Sequence, residues 1–102
     1  MPVFSTPFEG NNNDKKLSNH ELIRAIRFSI ASEFEAIQFY EQLEDASDNK
    51  DAKMLLREIA DDEKEHVGNF LYLLKLLSED EEKHYKEGAK EAVRVINGEE
   101  ED

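Results

Sequence analysis

From Leu17 to Val67 the sequence contains neither glycine nor proline. A stretch that long without a breaker has few ways to fold other than as helix. At its head stands Ser18-Asn19-His20-Glu21, a capping box. The serine oxygen can take the N–H three residues on, and Glu21 can reach back to the Ser18 N–H. Inside the stretch, only Asp45-Ala46-Ser47-Asp48-Asn49 has turn character. The pattern predicts one helix over about 19–45 and a second over about 50–77, with Asp48 or Asn49 as its cap. Each spans about 42 Å, and so short a turn makes them antiparallel neighbours.

Ser78-Glu79-Asp80-Glu81 has the form of a second capping box. It predicts a shorter third helix, with Tyr85, Ala89, Ala92, Val93 and Ile96 along one stripe and Asn97-Gly98 as its stop. The fold class is therefore all-α: an antiparallel two-helix hairpin plus a short C-terminal helix. Residues 1–17 hold both prolines, one glycine and three consecutive asparagines, and read as an irregular arm in which Phe4 and Phe8 either dock on a neighbour or lie loose. Residues 18–96 form the helical domain and residues 97–102 an acidic tail.

Composition narrows the partners. A chain of 102 residues makes one domain at most, and one this small gains stability readily by assembling. A net charge of −12 disfavours nucleic acid and anionic membrane and favours cations. The absence of cysteine excludes disulfides, thiolate zinc sites, iron–sulfur clusters and cysteine nucleophiles. No segment has the apolar core of a signal peptide or the length of a membrane span, so the expected location is the cytoplasm.

Three residues sit where the helical pattern calls for apolar ones. At 100° per residue, Leu22, Ile26, Ile30, Ile37 and Tyr40 share one stripe of the first helix, and Glu33 falls inside it. Ala52, Leu56, Ile59, Val67, Phe70, Leu74 and Leu77 form the face of the second, with Glu63 and His66 amid them. Taken singly, a helical glutamate is usually solvated, and a histidine on an apolar face is usually a hydrogen-bonded core residue. Together, Glu33 on one helix and Glu-x-x-His on the other lie at matching heights of an antiparallel pair. Buried carboxylates need compensation, and neither stripe carries a lysine or arginine. A bound cation supplies it.

Di-iron carboxylate bundles take a Glu from each of two helices and a Glu-x-x-His from each of the other two. This chain carries half that set, and a hairpin cannot enclose its own stripe. Two copies would make a four-helix bundle with four carboxylates, matching the charge of two divalent ions. Helix 1 has a further apolar edge at Ala25, Phe28, Ala36, Phe39 and Leu43, suited to the third helix or another subunit. The donors suit Fe(II), with Mn, Zn or Ca as alternatives. Tyr40 lies two turns from Glu33 on the same stripe and is either a neighbour of the centre or ordinary core. His20 and His84, near helix starts, read as surface residues.

At Glu33-Phe34-Glu35-Ala36-Ile37-Gln38-Phe39-Tyr40 and Asp62-Glu63-Lys64-Glu65-His66 the sequence resembles the encapsulated ferritins, a branch of the ferritin-like superfamily; the likeness runs from about Glu21 to Leu77. The resemblance implies a ferritin-like bundle completed by dimerisation. It implies Glu33, Glu63 and His66 as the ferroxidase ligands, with Tyr40 beside them. It further implies two iron ions per dimer, oxidation of Fe(II) by O₂, dimers set in an open ring (a decamer) and an encapsulin shell that stores the product. Two departures stand out. Ser32 occupies a position where some members carry an acid, leaving only Glu35 for an outer site that feeds metal inward. Nothing after Ile96 resembles the shell-targeting peptide with which members often end, an expectation compatible with truncation, fusion to a shell protein or a member that is not encapsulated. Two other roles fit less closely: a rubrerythrin-like di-metal peroxidase, and a helical assembly module without chemistry.

Overall fold

The computed structural model describes residues 16–99. Three helices follow in order: α1 over Asn19–Ala46, α2 over Lys50–Leu77 and α3 over Glu79–Ile96. The expectations about Phe4, Phe8 and residues 100–102 of the acidic tail fall outside these residues.

Each boundary has a local cause. The capping box at α1 forms as the sequence requires: the Glu21 N–H donates to Ser18 Oγ at 3.2 Å, and the Ser18 N–H donates to Glu21 Oε1 at 2.8 Å. Of the two candidate caps for α2, Asn49 takes the role; its Oδ1 accepts from the Ala52 N–H at 2.9 Å. The last turn of α1 holds no basic residue, but Lys53 of α2 donates to the Glu44 carbonyl at 2.7 Å. That places a positive charge where the helix dipole is negative. α3 ends in a Schellman motif. The Glu99 N–H bonds the Arg94 carbonyl, the Gly98 N–H bonds that of Val95, and Gly98 adopts φ +75°.

α1 and α2 pack along their length. The buried residues of α2 are Ala60, Val67 and Leu74, seven apart, with Leu56, Glu63, Phe70 and Leu77 between and around them. On α1 the matching series is Ile26, Ile30, Glu33, Ile37 and Tyr40. Both alternate steps of three and four, the period of a left-handed pair of helices. Glu33 and Glu63 each occupy a seam position.

The two flanks of the seam differ. On one flank Lys64 pairs with Glu41 at 2.9 Å and Arg57 with Glu44 at 2.9 Å, and Lys53 lies on the same side. Leu55, Ile59, His66, Phe70 and Leu73 project on the other, by their helical positions. Leu55 remains 62% exposed there. One edge of the hairpin is closed by ion pairs, while the other is apolar and open.

The second capping box does not form. The Ser78 side chain caps no backbone N–H at the start of α3. Glu81 turns instead to α1, where Arg27 grips it with two prongs: Nε to Oε2 at 3.1 Å and Nη2 to Oε1 at 2.5 Å. The Tyr85 hydroxyl donates to the same Oε2. A local cap thus loses to a charge-assisted, two-pronged bond from another helix. The guanidinium holds the Glu81 carboxyl below the usual carboxylate range, with desolvation opposing. Burial first, and Glu81 second, push the Tyr85 hydroxyl above its ordinary value.

The predicted stripe of α3 is not covered within the chain. Tyr85, Val93 and Ile96 are exposed, Ile96 at 83%. α3 meets α2 near their corner, and among the described residues no Cα of α3 comes within 8 Å of α1. The molecule extends 53 × 51 × 20 Å with a radius of gyration of 17.9 Å. A globular chain of this length measures about 13 Å. No helix of the described residues is long and apolar enough to cross a membrane.

Candidate metal centre

Counted from Asn19, Glu33 is the fifteenth of the 28 residues of α1; counted from Lys50, Glu63 is the fourteenth of the 28 of α2. Equal antiparallel helices therefore put the two carboxylates level. His66 follows Glu63 by one turn and shares its side of α2. The three side chains converge: one donor atom from each lies within 4.8 Å of the others. His66 Nδ1 is 3.4 Å from Glu33 Oε2 and 3.5 Å from Glu63 Oε2.

Neither carboxylate is freely solvated. The Glu33 side chain retains 19% exposure and that of Glu63 21%, whereas His66, on the open flank, retains 50%. Oε2 of Glu33 is shut off from solvent and accepts no hydrogen bond, since its approach to His66 lacks hydrogen-bond alignment. A buried carboxylate oxygen without a donor is costly and therefore rare. No lysine or arginine relieves it. Lys64 follows Glu63 directly, yet its Nζ is held by Glu41 and Asp61. Arg57 is held by Glu44. Basic side chains are thus kept on one flank and the acids are left for a cation on the other.

Two carboxylates and an imidazole are the donor types that Fe(II), Mn(II) and Zn(II) accept, and the orphaned Glu33 oxygen is a ready ligand. The residues fit a divalent ion. Three donors leave an octahedral ion several open positions, and Leu55, Ile59, Phe70 and Leu73 share His66's side of α2 by their helical positions.

Glu33, Glu63 and His66 are therefore brought together, as the sequence predicts. Tyr40 is half-buried and pairs its ring with that of Phe39, centroids 5.7 Å apart. No hydrogen bond joins it to the three ligands within the chain. Glu35 lies about 160° around α1 from Glu33 and stays outside the cluster. His20 and His84 are exposed, as expected. The sequence reading passed over the Lys64–Glu41 and Arg57–Glu44 pairs, whose signal was opposite charge beside the seam positions.

With this geometry in hand, comparison with known proteins is informative. The family model described as Rubrerythrin matches residues 25–100. The chain is 36% identical over 84 residues to the encapsulin nanocompartment cargo protein EncC of Myxococcus xanthus, a match covering 82% of this chain and 65% of that protein. It is 35% identical over 87 residues to the ferritin-like-encapsulin shell fusion protein of Pyrococcus furiosus, covering 85% of this chain and 25% of the other. The chain thus spans less than two thirds of the length of either relative. The crystal structure of the encapsulated ferritin domain from Pyrococcus furiosus superposes with a TM-score of 0.80 at 31% identity, covering 98% of this chain and 100% of that one. The helical hairpin with its short third helix is the encapsulated-ferritin fold, and the chain belongs to the rubrerythrin family of ferritin-like proteins.

Proposed function

We propose that this chain is a ferroxidase, oxidising Fe(II) to Fe(III) at a di-iron centre that two copies build together. The observation that carries the reading is the orphaned Oε2 of Glu33, set within reach of Glu63 and His66 and, among the described residues, paired with no lysine or arginine. The open apolar flank around His66 supports a second copy as the cover of the site. Two copies supply two Glu33 and two Glu63–His66 pairs, the donor set of di-iron carboxylate bundles.

Two Fe(II) ions held there would supply one electron each to dioxygen, which with two protons from water would leave as hydrogen peroxide. Glu33 and Glu63 hold the ions and balance their charge, and His66 adds a neutral nitrogen donor. The apolar side chains beside His66 limit water.

Two of the similar proteins are named for encapsulins, one as cargo and one as a fusion with the shell. These names support a place for this chain inside an encapsulin compartment, as cargo or as part of a longer fused protein, with the oxidised iron stored by the compartment. The resemblance also supports a ring of dimers, a decamer, with Tyr40 beside the centre and Glu35 feeding ions inward.

The Rubrerythrin match favours one second reading, in which peroxide takes the electrons. Loading with Fe(II) under anaerobic conditions, then adding O₂ or peroxide, separates the two. Ferroxidase action gives rapid ferric absorbance with O₂ in the wild type and none above the uncatalysed rate in Glu33→Ala. Equal rates in wild type and Glu33→Ala sink the proposal. Oxidation fast only with peroxide establishes the second reading.

A further inference from the structure

α2 ends at Leu77 and α3 begins at Glu79, so one residue makes the corner. Ser78, at φ −145° and ψ 81°, closes the ladder of α2 by donating to the Leu74 carbonyl at 2.8 Å and opens that of α3 by accepting from the Glu82 N–H at 3.3 Å. Neither glycine nor proline stands between Gly68 and Gly88, and nothing in the covalent chain compels a break. The break leaves three backbone bonds unmade: Glu79 to Lys75, Asp80 to Leu76 and Glu81 to Leu77. A continuous helix over 50–96 would make all of them.

Among the described residues, α3 touches the hairpin only near the corner and through one side-chain group. Beyond the corner it leaves the hairpin, and Val93, Val95 and Ile96 are exposed. The four acids of its first turn favour a helix start, but they do not point α3 anywhere. Among the described residues, the side-chain bond that joins α3 to α1 is Arg27 to Glu81, with Tyr85 closing the triangle one turn along. Glu81 gives up its capping role at Ser78 to make it. The Glu81 side chain is only 12% exposed, and its fork to Arg27 fixes orientation as well as distance.

We infer that the Ser78 corner is a one-residue hinge and that the Arg27–Glu81–Tyr85 triangle is the latch that holds it. With the latch made, α3 leaves the hairpin at one angle. With it broken, α3 samples a range of angles up to the continuous helix. The inference stands whether or not the centre binds metal.

Because the chain has no cysteine, labels can be placed freely. Glu58 on α2 and Glu91 on α3 are both exposed. Spin labels on Glu58→Cys and Glu91→Cys read the hinge by pulsed dipolar spectroscopy, with labelled full-length chain diluted in unlabelled chain so that only pairs within one molecule count. In a continuous helix the two sites would lie about 50 Å apart. The expected result is one narrow, shorter distance with the latch intact. Arg27→Gln and Glu81→Gln should at least double the width of the distribution and extend it toward 50 Å, with unchanged circular dichroism showing that the helices persist. Arg27 is half-exposed, so its variant does not disturb a core. A distribution unchanged in both variants, or already broad with the latch intact, overturns the inference.

Discussion

His66 Nδ1 lies 3.4 Å from Oε2 of Glu33, a residue on the opposite helix, and the same carboxylate oxygen is closed to water. That arrangement stores instability in the metal-free chain. Replacing Glu33 by leucine fills a seam position with an apolar side chain and removes the orphaned oxygen. We predict that Glu33→Leu raises metal-free stability by about 1–2 kcal/mol. Urea denaturation in the presence of a chelator measures it. Adding Fe(II) anaerobically or Mn(II) should raise the melting temperature of the wild type and leave the variant where it was. A variant less stable than wild type in chelator would show that Glu33 is not strained.

Ala60 is 1% exposed and sits one turn before Glu63 on the buried side of α2. Its small side chain sets how closely the helices approach at the level of the centre. Ala60→Leu should cost about 1–3 kcal/mol by overpacking. It should also weaken metal binding by roughly tenfold, because parting the helices parts Glu33 from Glu63. Calorimetric titration with Mn(II) reads the second effect.

The Asn49 side chain caps α2 far from the metal centre. Asn49→Ala should cost about 1 kcal/mol. Metal stoichiometry, measured by elemental analysis after loading, should not change. Here stability and chemistry are separable, in contrast to Ala60.

Glu81 supplies a pH dependence whose sign follows from its environment. Arg27 lowers its folded pKa below the unfolded value. Its contribution is therefore complete above the unfolded pKa of about 4.3 and is lost as pH falls through the lowered folded value. Denaturation followed from pH 6 to pH 2 should show this loss in the wild type and not in Glu81→Gln. Its partner Arg27 is half-exposed, so the effect is small and weakens further in high salt.

Much of the fold could be read without coordinates. Ser18 and Glu21 marked one helix start, Asn49 another, and the missing breakers fixed the lengths. The apolar stripe through Leu56, Val67, Phe70 and Leu74 marked the buried side of α2, but that stripe took in Ile59 and left out Ala60, the most buried residue of the helix. The clustering of Glu33, Glu63 and His66 was equally legible, because they break the apolar pattern on both helices at one height. What the sequence concealed was the direction of α3. Ser78 and Glu81 have the form of a local cap, and the competing partner, Arg27, is 54 residues away. Local pattern cannot weigh a distant guanidinium against a neighbouring hydroxyl. Burial of the α3 stripe was likewise not readable, since periodicity shows which residues share a side and not what lies against them.

The body of this chain is only 20 Å through, about two helix diameters. A plate of that thickness has two faces and no interior. A single plate offers surfaces rather than a container, so if the proposed iron chemistry holds, any mineral would have to be kept by whatever surrounds the chain.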